Sequence, residues 1–237
     1  MASSKKVGSL YLIPLPVAEG ANHTLPAEVS VHTARIQHYF AENVRTARRF
    51  LRSLHAGLVI ENLQFSEIDK HTNADTGLLR KWLAEGLEVG VMSEAGCPAI
   101  ADPGSALVAI AHNMGAKVVP LTGPSSIILS VMASGLNGQS FAFQGYLPLK
   151  DPARAKRIRE LEARSAAEKQ TQLFIETPYR NNAMLADLLK ICANRTKICI
   201  AMDLTAPGEY IMTRTVAEWK QQIPELGKLP AVFLMLG

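Results

Sequence analysis

Glu42 and Glu94 each close an apolar run, HYFAE and LEVGVMSE. A carboxylate held at the mouth of a cleft can take the proton from an attacking hydroxyl, so both are candidate general bases. The competing reading is that each accepts from the amides of a following helix start. Arg45 comes three residues after Glu42 and suits either a phosphate or an ion pair with Glu42. His71 in DKHTNAD and Arg180 in IETPYR are candidate substrate contacts, Arg180 for a phosphate, with a loop position and helix-start packing as their alternatives. The ten residues from Ala95, AGCPAIADPG, hold three Ala, two Gly and two Pro. So few long side chains let the backbone come close to a ligand. Cys97 sits there with no His near it in sequence, which makes it a small lining residue and not a nucleophile.

These residues need a scaffold, and strand and helix signals alternate along the chain. VGSLYLIPL, ARIQHYFAE (34–42), LEVGVMSE and AKVVPL read as strands in the first half. A helix over 43–54 carries Arg45, Arg48, Arg49 and Arg52. Another places Leu78, Leu79, Trp82 and Leu83 on one face before Gly86. Helices ending at Gly115 and Gly135 follow, the first opened by an Asp102-Pro103 cap. Asp151-Pro152 opens a charged helix in the same way. QTQLFIET, KICIAMDLT and AVFLMLG read as strands of the second half, with GEYIMTRTV as an antiparallel partner. This alternation predicts a parallel sheet covered by helices on both faces, then a mixed second half. The division adopted is an N-terminal α/β domain over 1–120 and a C-terminal α/β domain over 121–237.

In open α/β sheets, ligands bind beyond the carboxyl ends of the strands. Here those ends carry short, bent, polar-tipped segments: Pro14–Val17, Glu42–Arg45, Ser93–Pro98, Thr122–Ser126, Glu176-Thr177 and Asp203–Thr205. No GxGxxG follows the first strand, where LPVAEG stands, and no GxxxxGK[ST] occurs anywhere, which disfavours a cradled pyrophosphate. A small-residue trough at 95–101 and a Ser-Ser helix start at 125–126 suit S-adenosylmethionine, which asks for backbone contacts, a hydroxyl or two and apolar walls around its sulfonium. The same turns could also do no more than close αβ units.

The chain of 237 residues is 48% hydrophobic and 19% charged, an ordinary composition with ample material for a core. No apolar run approaches the roughly 20 residues of a membrane span, and MASSKK leads into no signal-peptide core, so the expected location is cytoplasmic. Three cysteines without a CxxC pair suggest neither a disulfide framework nor a metal site. A formal net charge of +4 fits an anionic partner such as RNA, or merely aids solubility.

SEAGCPAIADPG (93–104), PLTGPSSIILSVMASGL (120–136), FAFQGYLP (141–148), IETPYR (175–180) and MDLTAPGEY (202–210) occur in an order that resembles the tetrapyrrole-methylase superfamily of S-adenosylmethionine-dependent methyltransferases, and within it the small-subunit rRNA (cytidine-2′-O)-methyltransferase branch. The resemblance implies two α/β domains of the tetrapyrrole-methylase type with the cofactor cleft between them, and a homodimer. It places the cofactor against Leu15 or Val17, the backbone of Gly96 and Cys97, Ile100, Ser125 and Ser126, the strand end at Glu176 and Thr177, and Ala231. Departures from the branch pattern are Glu42-Asn43-Val44-Arg45 for Glu-Asp-Thr-Arg, Glu94 for Asp and Cys97 for Thr. The implied activity is methyl transfer to a ribose 2′-hydroxyl of ribosomal RNA. The alternatives are a tetrapyrrole or corrin precursor as acceptor, or a non-catalytic homologue that binds the cofactor alone.

Overall fold

The computed structural model describes residues 6–68 and 74–237, which divide after Ser125 into two compact units. In the first, β1 (Ser9–Leu12), β2 (His38–Ala41), β3 (Gln64–Glu67), β4 (Glu88–Met92) and β5 (Lys117–Pro120) form one sheet in the order β3-β2-β4-β1-β5. Every neighbouring pair runs parallel. Parallel pairing requires a crossover after each strand, and helices supply it.

Alternation of side chains sorts the two faces. Tyr11, Tyr39, Ala41 and Met92 point to the side covered by α1 (Ala27–Thr33) and α2 (Val44–Leu54), where Val29, Ala47, Phe50 and Leu51 meet them. Leu10, Phe40, Val89 and Val91 point to the other side, against α3 (Thr76–Ala84) and α4 (Ser105–Asn113). The central strands are buried on both faces, which is why they read as unbroken apolar runs. Gly90 is needed in β4 because a Cβ there would stand 2.7 Å from both Ile13 Cδ1 and the Tyr39 ring.

The second unit holds β6 (Phe141–Tyr146), β7 (Thr171–Glu176), β8 (Lys197–Met202), β9 (Tyr210–Thr215) and β10 (Ala231–Leu236) in the order β6-β7-β10-β8-β9. Only β6 and β7 are parallel. β10 lies antiparallel to both β7 and β8, and β9 antiparallel to β8. α5 (Ser126–Ser134) covers one face through Ile127, which joins Leu173, Cys199, Val232 and Leu234. α6 (Ala153–Glu168), α7 (Asn181–Ile191) and α8 (Val216–Gln221) cover the other around Phe174, Phe233 and Trp219. The mixed second half expected from the sequence is therefore the observed one.

Four local expectations change. The strand expected over 34–42 begins only at His38, because Thr33 ends α1 and its hydroxyl bonds back to Val29 O at 2.8 Å. Asp102 does not cap α4. The chain takes left-handed turns at Ala99 and Ala101 and a positive φ of 136° at Gly104, so the helix starts at Ser105 with Gly104 in the cap position. Pro152 is the cap residue of α6 and not its first helical residue, while Asp151 Oδ1 accepts from Ala155 N at 3.3 Å. GEYIMTRTV stops being a strand at Thr215, where a reciprocal capping box with Glu218 opens α8.

Candidate functional site

The first unit draws three loops together at the carboxyl edge of its sheet. The extension of β1 is tied to the loop after β4 by main-chain bonds in both directions, Leu15 N to Gly96 O at 2.9 Å and Gly96 N to Leu15 O at 3.1 Å. The loop after β5 packs onto the same extension: a Cβ at Gly123 would stand 2.2 Å from Pro14 Cβ, so only glycine admits the proline ring there. Cys97 Sγ completes the contact, 3.5 Å from Pro124 O and 3.8 Å from Gly123 O. Burial pushes the Cys97 thiol above its ordinary value, which keeps it protonated at neutral pH and bears on its role as a lining residue.

Both candidate bases sit at this edge. Glu42 directly follows β2, is buried, donates its N–H to Met92 O at 3.0 Å and accepts the Glu94 N–H on Oε2 at 3.3 Å. Glu94 is exposed. Its Oε1 accepts from Asn43 Nδ2 at 3.0 Å, while Asn43 Oδ1 caps α2 by accepting from Thr46 N at 3.1 Å. One asparagine therefore fixes the start of α2 and the position of Glu94 together. This role was missed in the sequence, although Asn immediately before a helical run is a cap signal. Arg45 lies exposed on the first turn of α2.

A cavity of about 510 Å³ opens beside Glu94. Its apolar wall includes Leu15, Val17 and Phe50. Its polar groups include Asn22, Thr46 and Ser53, with Asn22 Nδ2 bonded to Ser53 Oγ at 2.9 Å. Such a volume, with an apolar body and a few convergent polar groups, is that of a small-ligand site. Gly96 is buried next to it, Cys97 is half-buried and Ile100 is exposed. Ser125 is the last residue of this unit.

The other expected residues belong to the second unit. Ser126 opens α5. Ala231 pairs directly with Glu176 on one side and Met202 on the other, so the ends of β7, β10 and β8 stand side by side. The Glu176 carboxylate is buried and accepts from Thr177 N at 2.6 Å and from Arg180 Nε and Nη2 at 2.9 and 2.6 Å. Arg180 is thus held by a carboxylate of its own chain. Arg154, on α6, is likewise taken up by Asp187 at 2.5 Å and mostly buried. His71 lies outside the described residues. Among the described residues no group of three or more His, Cys, Asp or Glu could hold a metal ion, and no helix is long and apolar enough to cross a membrane.

The family described as Tetrapyrrole (Corrin/Porphyrin) Methylases matches residues 19–220. The chain belongs to that family. Its sequence is also similar to the ribosomal RNA small subunit methyltransferase I of Vibrio cholerae, 32% identical over 88% of this chain and 69% of the relative. Proteins of the same description from Xylella fastidiosa and Escherichia coli O157:H7 are 31% and 30% identical, over 91% and 89% of this chain and 76% and 70% of theirs. The fold resembles the crystal structure of a conserved hypothetical protein from Aeropyrum pernix K1, with a TM-score of 0.66 at 14% identity, over 98% of this chain and 85% of that one.

As a member of the tetrapyrrole methylases the protein is an S-adenosylmethionine-dependent methyltransferase. The residues present suit that donor. Apart from Ile100 the side chains at 95–101 are short, the Gly123–Pro14 packing holds the loop after β5 close, and the cavity beside Glu94 has apolar walls with hydroxyls of Thr46 and Ser53.

Proposed function

We propose that the protein transfers a methyl group from S-adenosylmethionine to RNA, at a ribose 2′-hydroxyl of small-subunit ribosomal RNA. The observation that carries this reading is the similarity, over about nine-tenths of the chain, to proteins described as ribosomal RNA small subunit methyltransferase I. The donor contacts are Leu15, Val17, Gly96, Cys97, Ile100 and Ser125 in the first unit, and Ser126, Glu176, Thr177 and Ala231 in the second. The working form is a cytoplasmic homodimer.

When bound, the donor supplies an electrophilic methyl on a cationic sulfur. This chain's residues must align the acceptor oxygen with that methyl, and positioning of this kind accounts for roughly 7–11 kcal/mol of barrier in favourable cases. Glu94 is the proton acceptor for the ribose hydroxyl: it lines the cavity, and Asn43 holds one of its oxygens. Glu42 supports it from beneath by fixing the Glu94 amide. Arg45 contacts an acceptor phosphate from the exposed start of α2, and His71 and Arg180 are further acceptor contacts. Arg180 can reach an acceptor only with the part of its guanidinium left over by Glu176.

The test is to incubate the purified protein and methyl-labelled S-adenosylmethionine with small ribosomal subunits, bulk RNA and a tetrapyrrole extract. Label in ribosomal RNA is expected, at a nucleotide that resists alkaline hydrolysis. The family's description covers corrin and porphyrin methylases, so label in the tetrapyrrole fraction alone would transfer the assignment to that substrate class. Donor binding without label anywhere would leave a binding module.

A further inference from the structure

The outward face of α2 carries more positive charge than its packing against the sheet explains. Arg45, Arg48, Arg49 and Arg52 recur at the i, i+3, i+4, i+7 spacing that sets side chains on one side of a helix, while Ala47, Phe50 and Leu51 are buried on the other. The row is about 10 Å long at a rise of about 1.5 Å per residue. It is built into a groove: the four arginines, with Val44, Ile60 and Glu61, line a depression of about 620 Å³. Arg48 is steadied by its guanidinium, 5.2 Å from the centre of the Phe65 ring. Arg49 and Arg52 meet Glu19 at 3.5 Å and Glu61 at 3.9 Å, with both members of each pair largely in water. Exposed pairs that long contribute little, so either arginine can exchange its carboxylate for a phosphate at small cost. Arg49 also lines the cavity beside Glu94, so groove and cavity share a wall.

We infer that this arginine face is a track for the phosphate backbone of the acceptor RNA, leading a strand along α2 to the cavity at Glu94. It rests on RNA being the acceptor and adds where that RNA lies. Arg48 and Arg52 contact phosphates without reading bases, so their effect is the same for any sequence. Glu61 lines the groove and Glu19 lines the cavity, and each carboxylate repels a strand that comes close to it.

The probe is fluorescein-labelled single-stranded polyuridylate, bound to the full chain across a salt series and read by anisotropy. R48Q/R52Q, two exposed positions outside the cavity, is expected to bind roughly 10-fold more weakly at low salt. The slope of log K against log salt should be shallower by about 1.4, from about 0.7 per phosphate contact on a single strand. R48K/R52K should recover most of the slope, and E61Q should tighten binding. Calorimetric binding of S-adenosylhomocysteine should be the same for all variants. Hydrogen exchange of the wild-type chain with polyuridylate gives a readout independent of any variant: protection of 44–54 supports the track, and protection elsewhere with α2 unchanged overturns it. If R48Q/R52Q keeps the wild-type slope while the protein still methylates ribosomal RNA, the track is wrong and the proposed acceptor stands. If polyuridylate binds through α2 but label enters only tetrapyrrole, the track stands and the acceptor is wrong.

Discussion

The carboxyl ends of β4 and β7 carry the same group, a glutamate, in opposite circumstances. Glu94 is exposed beside a cavity, with one oxygen held by an asparagine amide. Glu176 is buried, and a guanidinium and a main-chain amide share its Oε1. A neutral amide orients a carboxylate without bringing a charge to it; Arg180 places two charge-assisted bonds on the single oxygen Oε1 of Glu176. The parallel unit therefore leaves its acid exposed beside a cavity, where the proposed proton transfer requires it, and the mixed unit ties its acid to an arginine at a buried strand end.

Four substitutions break or sharpen that contrast. Glu94→Gln keeps the size and the bond to Asn43 but removes the base, so label transfer to ribosomal RNA should fall 100-fold or more with donor affinity unchanged. A rate within threefold of wild type would take Glu94 out of the proton path. Arg180→Ala strips the guanidinium from a buried carboxylate, and urea unfolding should show a loss of about 2–3 kcal/mol. Arg180→Lys should restore part of it. Gly123→Ala forces the loop after β5 away from Pro14, and titration calorimetry should find donor binding weakened roughly tenfold with the melting temperature lowered by only a few degrees. An unchanged affinity would mean that the facing loop does not touch the donor.

The smallest effect concerns the opposite end of the first sheet. Arg35 grips Glu88 with two bonds, at 2.7 and 3.0 Å, and Tyr11 donates to it at 2.8 Å. The Arg35 hydrogen bond, then that of Tyr11, hold the Glu88 carboxyl below its ordinary range. A depressed carboxyl contributes stability that is whole above its unfolded value near 4.5 and fades as pH falls through its lower folded value. Glu88→Gln should therefore melt slightly below wild type at pH 7 and converge with it toward pH 3. Because the pair is partly in water, the gap should stay under about 1 kcal/mol.

Much of the first unit was legible because buried parallel strands announce themselves as apolar runs, and glycines at 86 and 115, like Gly135 in the second unit, take the positive φ that ends a helix. The loops at 93–104 and 122–126 stood out by their lack of side chains, a property that survives folding. What failed was whatever depended on a cap or a partner supplied from elsewhere. α1 begins after Pro26 with no side-chain cap, and AEVSVHT has two Val and a Thr that speak against a helix. β3 is four residues long with no buried residue. The Glu176–Arg180 pair has i, i+4 spacing, but Thr177-Pro178 between them hides it from a helical reading.

The Leu15–Gly96 bridge is made by amides alone, so it does not depend on which side chains its neighbours carry. Ala95, exposed between Glu94 and the bridged Gly96, could be exchanged while the loop keeps its place, much as a frame holds one lens after another. For anyone who wants this enzyme to accept a different nucleophile, that position on the cavity wall is where diversity can be introduced at least risk to the fold.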